Sequence, residues 1–84
     1  MRNPVLFTED CEPEKLSSLC HKDTCNAVKI LDTVEECTTG EELATRLNAL
    51  KLFCIFAIDR ETSEYARLTT TDCFGVRHYF KAEK

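Results

Sequence analysis

Glycine and proline are scarce, two of each in 84 residues. That excludes collagen-like and low-complexity chains, and it is little turn chemistry for a loop-rich domain held mainly by disulfides. Long apolar runs are missing too. The longest, residues 52–58, has seven members, whereas a membrane-spanning helix needs ~20, so no membrane partner is expected. Gly40 and Gly75 stand alone, which leaves no glycine-rich phosphate loop. Asn3, Asn26 and Asn48 lack the glycosylation context. Near Met1 only residues 5–7 form an apolar patch before the chain turns acidic, unlike a secretory leader, so a cytoplasmic setting is expected.

Basic charge is also in short supply where it would matter for nucleic acid. Residues 1–42 hold ten acids against four bases, a net of −6, and residues 43–84 hold five acids against seven bases, a net of +2. An acidic half repels phosphate backbones, so no nucleic-acid partner is expected. Arg46, Lys51, Arg60, Arg67, Arg77, Lys81 and Lys84 are scattered, as on a solvated surface.

What is present is globular. The chain is 43% apolar and 31% charged, and its length allows one domain spanning residues 1–84. A chain this small buries somewhat over ~60% of its extended surface, so nearly all its large apolar residues must pack and few remain to enclose a small molecule. Six cysteines stand at 11, 20, 25, 37, 54 and 73. In a secreted chain they would read as three disulfides. Cys54, set within Leu-Phe-Cys-Ile-Phe, reads instead as small apolar filling, and reduced thiols are the expectation.

Apolar spacing suggests the elements. Val5, Leu6 and Phe7 suit a short strand after Pro4. Asp10 or Glu12 can cap a helix with Pro13 in its first turn and Leu16, Leu19 and Cys20 on one face. Residues 26–37 fit a helical stripe (Ala27, Ile30, Leu31, Val34, Cys37), but β-branched content favours a strand over residues 28–32. Thr39 and Glu42 form a capping box that opens a helix over residues 39–51, with Leu43, Ala44, Leu47 and Leu50 as its buried stripe. Residues 52–58 are apolar on both faces and read as a central strand. Residues 65–70 read as a polar-faced strand nearer an edge. Phe74, Val76, His78 and Phe80 alternate as a strand, while Cys73, Val76, Tyr79 and Phe80 also fit a helix; periodicity alone slightly favours the strand.

The resulting β-α-β-α-β-β order with an open last element, together with Val5-Leu6-Phe7-Thr8-Glu9-Asp10-Cys11, resembles a glutaredoxin. In that family a short strand leads to a reactive cysteine at the start of the first helix. Gly40-Glu41-Glu42-Leu43 is similar to its second helix, residues 54–59 to its central strand, and Thr71-Asp72-Cys73-Phe74 to the start of its last helix. The resemblance implies an α/β thioredoxin-like fold with a mixed sheet, and a monothiol oxidoreductase using Cys11. The family's Cys-Pro-x-Cys falls on Cys11-Glu12-Pro13-Glu14, so the resolving cysteine is absent. Lys51-Leu52-Phe53 stands where its Thr-Val-Pro would be, and residues 69–70 replace its Gly-Gly.

Three chemistries compete. At a helix N-terminus Cys11 would be favoured as a thiolate, but Glu9, Asp10, Glu12 and Glu14 crowd it with negative charge. Cys11, Cys20, His21 and Cys25 could ligate zinc, although no second tight knuckle follows. No pair of acids has the spacing of an acid–base site. The leading expectation is therefore a non-enzymatic protein-binding regulator or inhibitor; small chains of this type include viral and phage proteins aimed at host machinery. Glu9, Asp10, Glu12 and Glu14 would meet a basic patch on the partner. A strand edge at residues 5–8 or 65–70 would allow β-augmentation or a homodimer. A secreted, disulfide-stapled effector is the remaining alternative.

Overall fold

The computed structural model describes residues 1–19, 27–50, 52, 54–71 and 74–84. Strand β1 (Arg2–Phe7) turns back into the two-residue β2 (Pro13–Glu14), and a single 3-10 turn follows at Leu16–Leu19. Helices α1 (Ala27–Glu36) and α2 (Gly40–Ala49) come next, then β3 (Ile55–Glu61), β4 (Tyr65–Thr71) and β5 (Arg77–Glu83). The strands form one sheet ordered β2-β1-β5-β4-β3, with every neighbouring pair antiparallel. The result is a small α/β domain of five antiparallel strands and two helices.

The C-terminal strand holds the middle of this sheet. His78, Phe80 and Ala82 are buried on one face of β5, and Arg77, Tyr79, Lys81 and Glu83 alternate with them on the other. Period-two burial is what a sheet covered on one side requires. Leu6, Phe56, Ala66 and Leu68 extend the inner face. Against it pack Ile30 and Val34 of α1 and Leu43, Ala44 and Leu47 of α2, with Phe56 and Phe80 in an edge-to-face contact.

Several expectations change. Residues 28–32 are helical, because Ile30, Thr33, Val34 and Cys37 are the buried set, at helical spacing. A strand there would turn Asp32 inward beside Val28 and Ile30. Thr33 is accommodated in the helix by donating its hydroxyl to the Lys29 carbonyl at 2.7 Å. With no strand at that point, the expected mixed sheet is replaced by an antiparallel one. The helix expected after Asp10 is instead a hairpin and a 3-10 turn. Pro13 sits on an edge strand, where a missing N–H is tolerated, and Leu16 and Leu19 share a face because a 3-10 turn has three residues. Residues 55–61 form an edge strand, not the central one. Among them only Phe56 is buried. Residues 65–71 lie one strand in from the edge, paired on both sides.

Helix α2 follows its capping signal. Thr39 Oγ1 accepts from the Glu42 N–H, and Glu42 reaches back to the Thr38 N–H, both at 3.1 Å. The helix start also approaches the sheet closely. A Cβ on Gly40 would lie 3.0 Å from the Ala66 Cβ and 2.9 Å from a Glu61 carboxylate oxygen. That carboxylate accepts from the Gly40 N–H at 2.9 Å and pairs with Lys84 at 2.8 Å. A bulge between Ile58 and Arg60 sets Glu61 opposite Ala66, on the helix side. Without the extra residue Glu61 would fall opposite Tyr65, on the other face.

Two predictions follow from these contacts. The Gly40 N–H, followed by Lys84, holds the Glu61 carboxyl below its ordinary value. A depressed folded value means stabilisation that is present above the unfolded value and lost as pH falls through the folded one. Urea titrations on acidification should therefore show a steeper stability loss in wild type than in Glu61→Gln, with up to about 1 kcal/mol separating them at neutral pH. Asn48 accepts from the Phe56 N–H at 2.8 Å and donates to the Phe56 carbonyl at 3.1 Å, occupying the free edge of β3 as a further strand would. Asn48→Ala should cost about 1–2 kcal/mol, and sedimentation should show concentration-dependent self-association through the uncovered edge.

Candidate functional site

Because β1 and β5 are antiparallel neighbours, the turn leaving β1 lies beside the connection leading into β5. Residues 8–12 form that turn. Cys11 N–H donates to the Thr8 carbonyl at 2.9 Å, Thr8 N–H to the Glu12 carbonyl at 3.0 Å, and Glu12 N–H to Thr8 Oγ1 at 3.3 Å. Closing the turn places Cys11 at φ +61°, in the left-handed region, which costs a non-glycine residue roughly 1–2 kcal/mol. Glu9, Asp10, Cys11 and Glu12 are exposed at its tip.

The opposing segment carries apolar groups. Phe74 is 82% exposed and Val76 50%, with Gly75 between them at φ +82°. A shallow groove of about 460 Å³ runs between the segments, lined by Thr8, Glu9, Asp10, Gly75, Val76 and Arg77. Carboxylates and apolar side chains thus share one end of the sheet, an arrangement suited to a cationic, partly apolar surface.

Of the four carboxylates expected to face a partner, Glu9, Asp10 and Glu12 are exposed on the turn. Glu14 is directed inward. It stands opposite Leu6 on β2, and its Oε2 lies 2.5 Å from Nδ1 of His78, which is 4% exposed. The pair reaches across β1 and ties β2 to β5. The alternation of His78 with Phe80 in the sequence is the signal that it shares the core face.

Cys11 sits at a hairpin tip, so the helix N-terminus expected to favour its thiolate is not there. Of the zinc set, Cys20, His21 and Cys25 lie outside the described residues, as does Cys73. Among the described residues, no group of three or more His, Cys, Asp or Glu is placed to hold a metal, and no helix is long and apolar enough to cross a membrane. Cys37 and Cys54 are buried in the core. Burial, then the nearby Glu42 charge, pushes the Cys37 thiol up from its ordinary value, which suppresses the reactive thiolate. The strand edge expected at residues 65–70 is occupied on both sides, by β5 and β3. At residues 5–8, β2 covers Leu6 and Phe7.

A brief maleimide pulse at neutral pH, followed by peptide mapping, should modify Cys11 and spare Cys37 until denaturant is added. Equal modification of the two in the folded protein would contradict this placement.

Comparison of the chain with family models, with curated proteins and with solved structures returned no match. Function is therefore read from the chemistry of the site itself.

Proposed function

We propose that this chain is a non-enzymatic protein-binding module that regulates or inhibits a partner by covering part of its surface. The carrying observation is Phe74, the most exposed large apolar side chain among the described residues, beside a groove walled by Glu9 and Asp10. An exposed aromatic adjoining a charged groove has the make-up of an interface anchor. The three exposed carboxylates of the turn attract a basic surface over several ångströms and orient it before contact. Glu14, held by His78, fixes the far arm of the hairpin, so the turn meets its partner already shaped and loses little entropy on binding.

The Asn48 contact supports loop-end docking over β-augmentation, since it fills the edge of β3 that an added strand would need. Cys11 contributes to this reading as a turn residue, not as a nucleophile.

Selection from a random peptide display library tests the proposal. Wild type should enrich peptides with Lys or Arg flanking one large apolar residue. Phe74→Ala should weaken the selected peptides roughly tenfold or more. Wild-type binding should weaken as salt rises, and the triple variant Glu9→Lys, Asp10→Lys, Glu12→Lys should lose the peptides. Failure to enrich any basic consensus, or the same consensus and affinity from the triple variant, would overturn it.

A further inference from the structure

Both helices pack on one side of the sheet, and among the described residues nothing covers the other side. That face carries an ordered set of rings and cations. Phe7 and Tyr79, on neighbouring strands, stack with centroids 5.5 Å apart. The Arg67 guanidinium lies 5.6 Å from the Tyr79 ring centroid, and the Lys81 ammonium lies 4.4 Å from that of Tyr65. The acids on this face are engaged: Asp59 pairs with Arg67, and Glu83 accepts from Asn3. No carboxylate among the described residues pairs with Arg77 or Lys81. The face therefore has a cationic surplus, although the chain as a whole has a net charge of −4.

We propose that this helix-free face is a second docking surface, for an extended acidic polypeptide segment with two carboxylates four residues apart and an apolar side chain midway between them. Arg77, Tyr79 and Lys81 point the same way along the central strand, cation, ring, cation. At ~3.4 Å per residue their backbone positions stand about 14 Å apart. An extended segment repeats at the same spacing, so side chains i, i+2 and i+4 present acid, apolar group and acid to that row. The Lys81 stem and the paired rings supply apolar contact beneath the charges. Single-stranded nucleic acid suits the face less well. A base needs an open ring to stack on, whereas Phe7 and Tyr79 stack on each other and cations lie over Tyr79 and Tyr65. Arg77 also lines the loop-end groove, so the two surfaces adjoin there, but Tyr79 and Lys81 belong to the open face alone and Glu9 and Asp10 to the groove alone, and variants at those positions tell the two proposals apart.

Fluorescence anisotropy with a labelled Ser-Glu-Thr-Phe-Thr-Glu-Ser peptide at low ionic strength is the direct test. Wild type should bind it saturably and release it as salt rises. A peptide with its glutamates three residues apart should bind more weakly, because they then project to opposite sides. A peptide with lysines in their place should not bind at this face. The double variant Arg77→Glu, Lys81→Glu should weaken binding roughly tenfold or more, and Lys81→Arg should retain it. Glu9→Lys with Asp10→Lys should leave it intact, which separates this surface from the loop end. Amide shift mapping on wild-type protein should place the peptide over Tyr65, Tyr79 and Lys81, and this readout stands even if the double variant fails to fold. No saturable binding, indifference to glutamate spacing, shifts confined to residues 8–12, or full displacement by oligothymidylate would each overturn the proposal.

Discussion

Phe80 at the centre of β5 is the contact on which the rest of the architecture depends. It is fully buried, opposite Leu6 of β1 on one side and Leu68 of β4 on the other, with the Phe56 ring edge-on to it. A strand locked there joins the N-terminal hairpin to the β3–β4–β5 meander. Its inward residues build the core. Its outward residues, Arg77, Tyr79 and Lys81, make the cationic row, and its antiparallel pairing with β1 brings the acidic turn beside Phe74 and Val76. One packed side chain thus supports the fold and positions both proposed surfaces.

The charge asymmetry of the sequence becomes spatial in the structure. Asp32, Glu35, Glu36, Glu41 and Glu42 lie exposed on the helices, and Glu9, Asp10 and Glu12 on the turn. Arg67, Arg77 and Lys81 gather on the open side of the sheet because β4 and β5 alternate them with buried residues, whereas Arg46 and Lys84 pair with Glu36 and Glu61. A solvated charge run and a binding surface look alike along a sequence. The difference lies in which charges remain unpaired, and the pairing of Asp59 with Arg67 leaves Arg77 and Lys81 as the surplus on this face.

The same frame limits other kinds of contact. Asn48 satisfies the outward N–H and carbonyl of Phe56, so the exposed β3 edge is blunted by a side chain from the helix above it. Glu61, turned inward by the bulge, caps α2 and accepts from Lys84, which joins the start of that helix to the last residue of the chain. Cys37 and Cys54 serve as packing groups in the core. Edge pairing through β3 is thereby disfavoured, and the loop end and the open face remain the two proposed surfaces.

Local patterns settled the parts of the chain governed by local physics. Thr39 and Glu42 mark the start of α2 because a capping box needs only neighbouring residues, and the exposed acids of residues 9–12 needed only their own polarity. The alternation of Val76, His78 and Phe80 favoured a strand for the same reason. Residues 27–36 could be read either way, since β-branched side chains favour strands intrinsically, and only the packing of Ile30 and Val34 against the sheet made them helical. Leu16 and Leu19 carried a helical spacing that a single 3-10 turn satisfies equally well, and Pro13 carried a helix-start signal that an edge strand also tolerates. The pairing of Glu14 with His78, the capping of Phe56 by Asn48 and the shared groove of Val76 and Glu9 join residues 8 to 67 positions apart. No local propensity encodes such meetings; strand order and register, set by burial of the whole inner face, decided them.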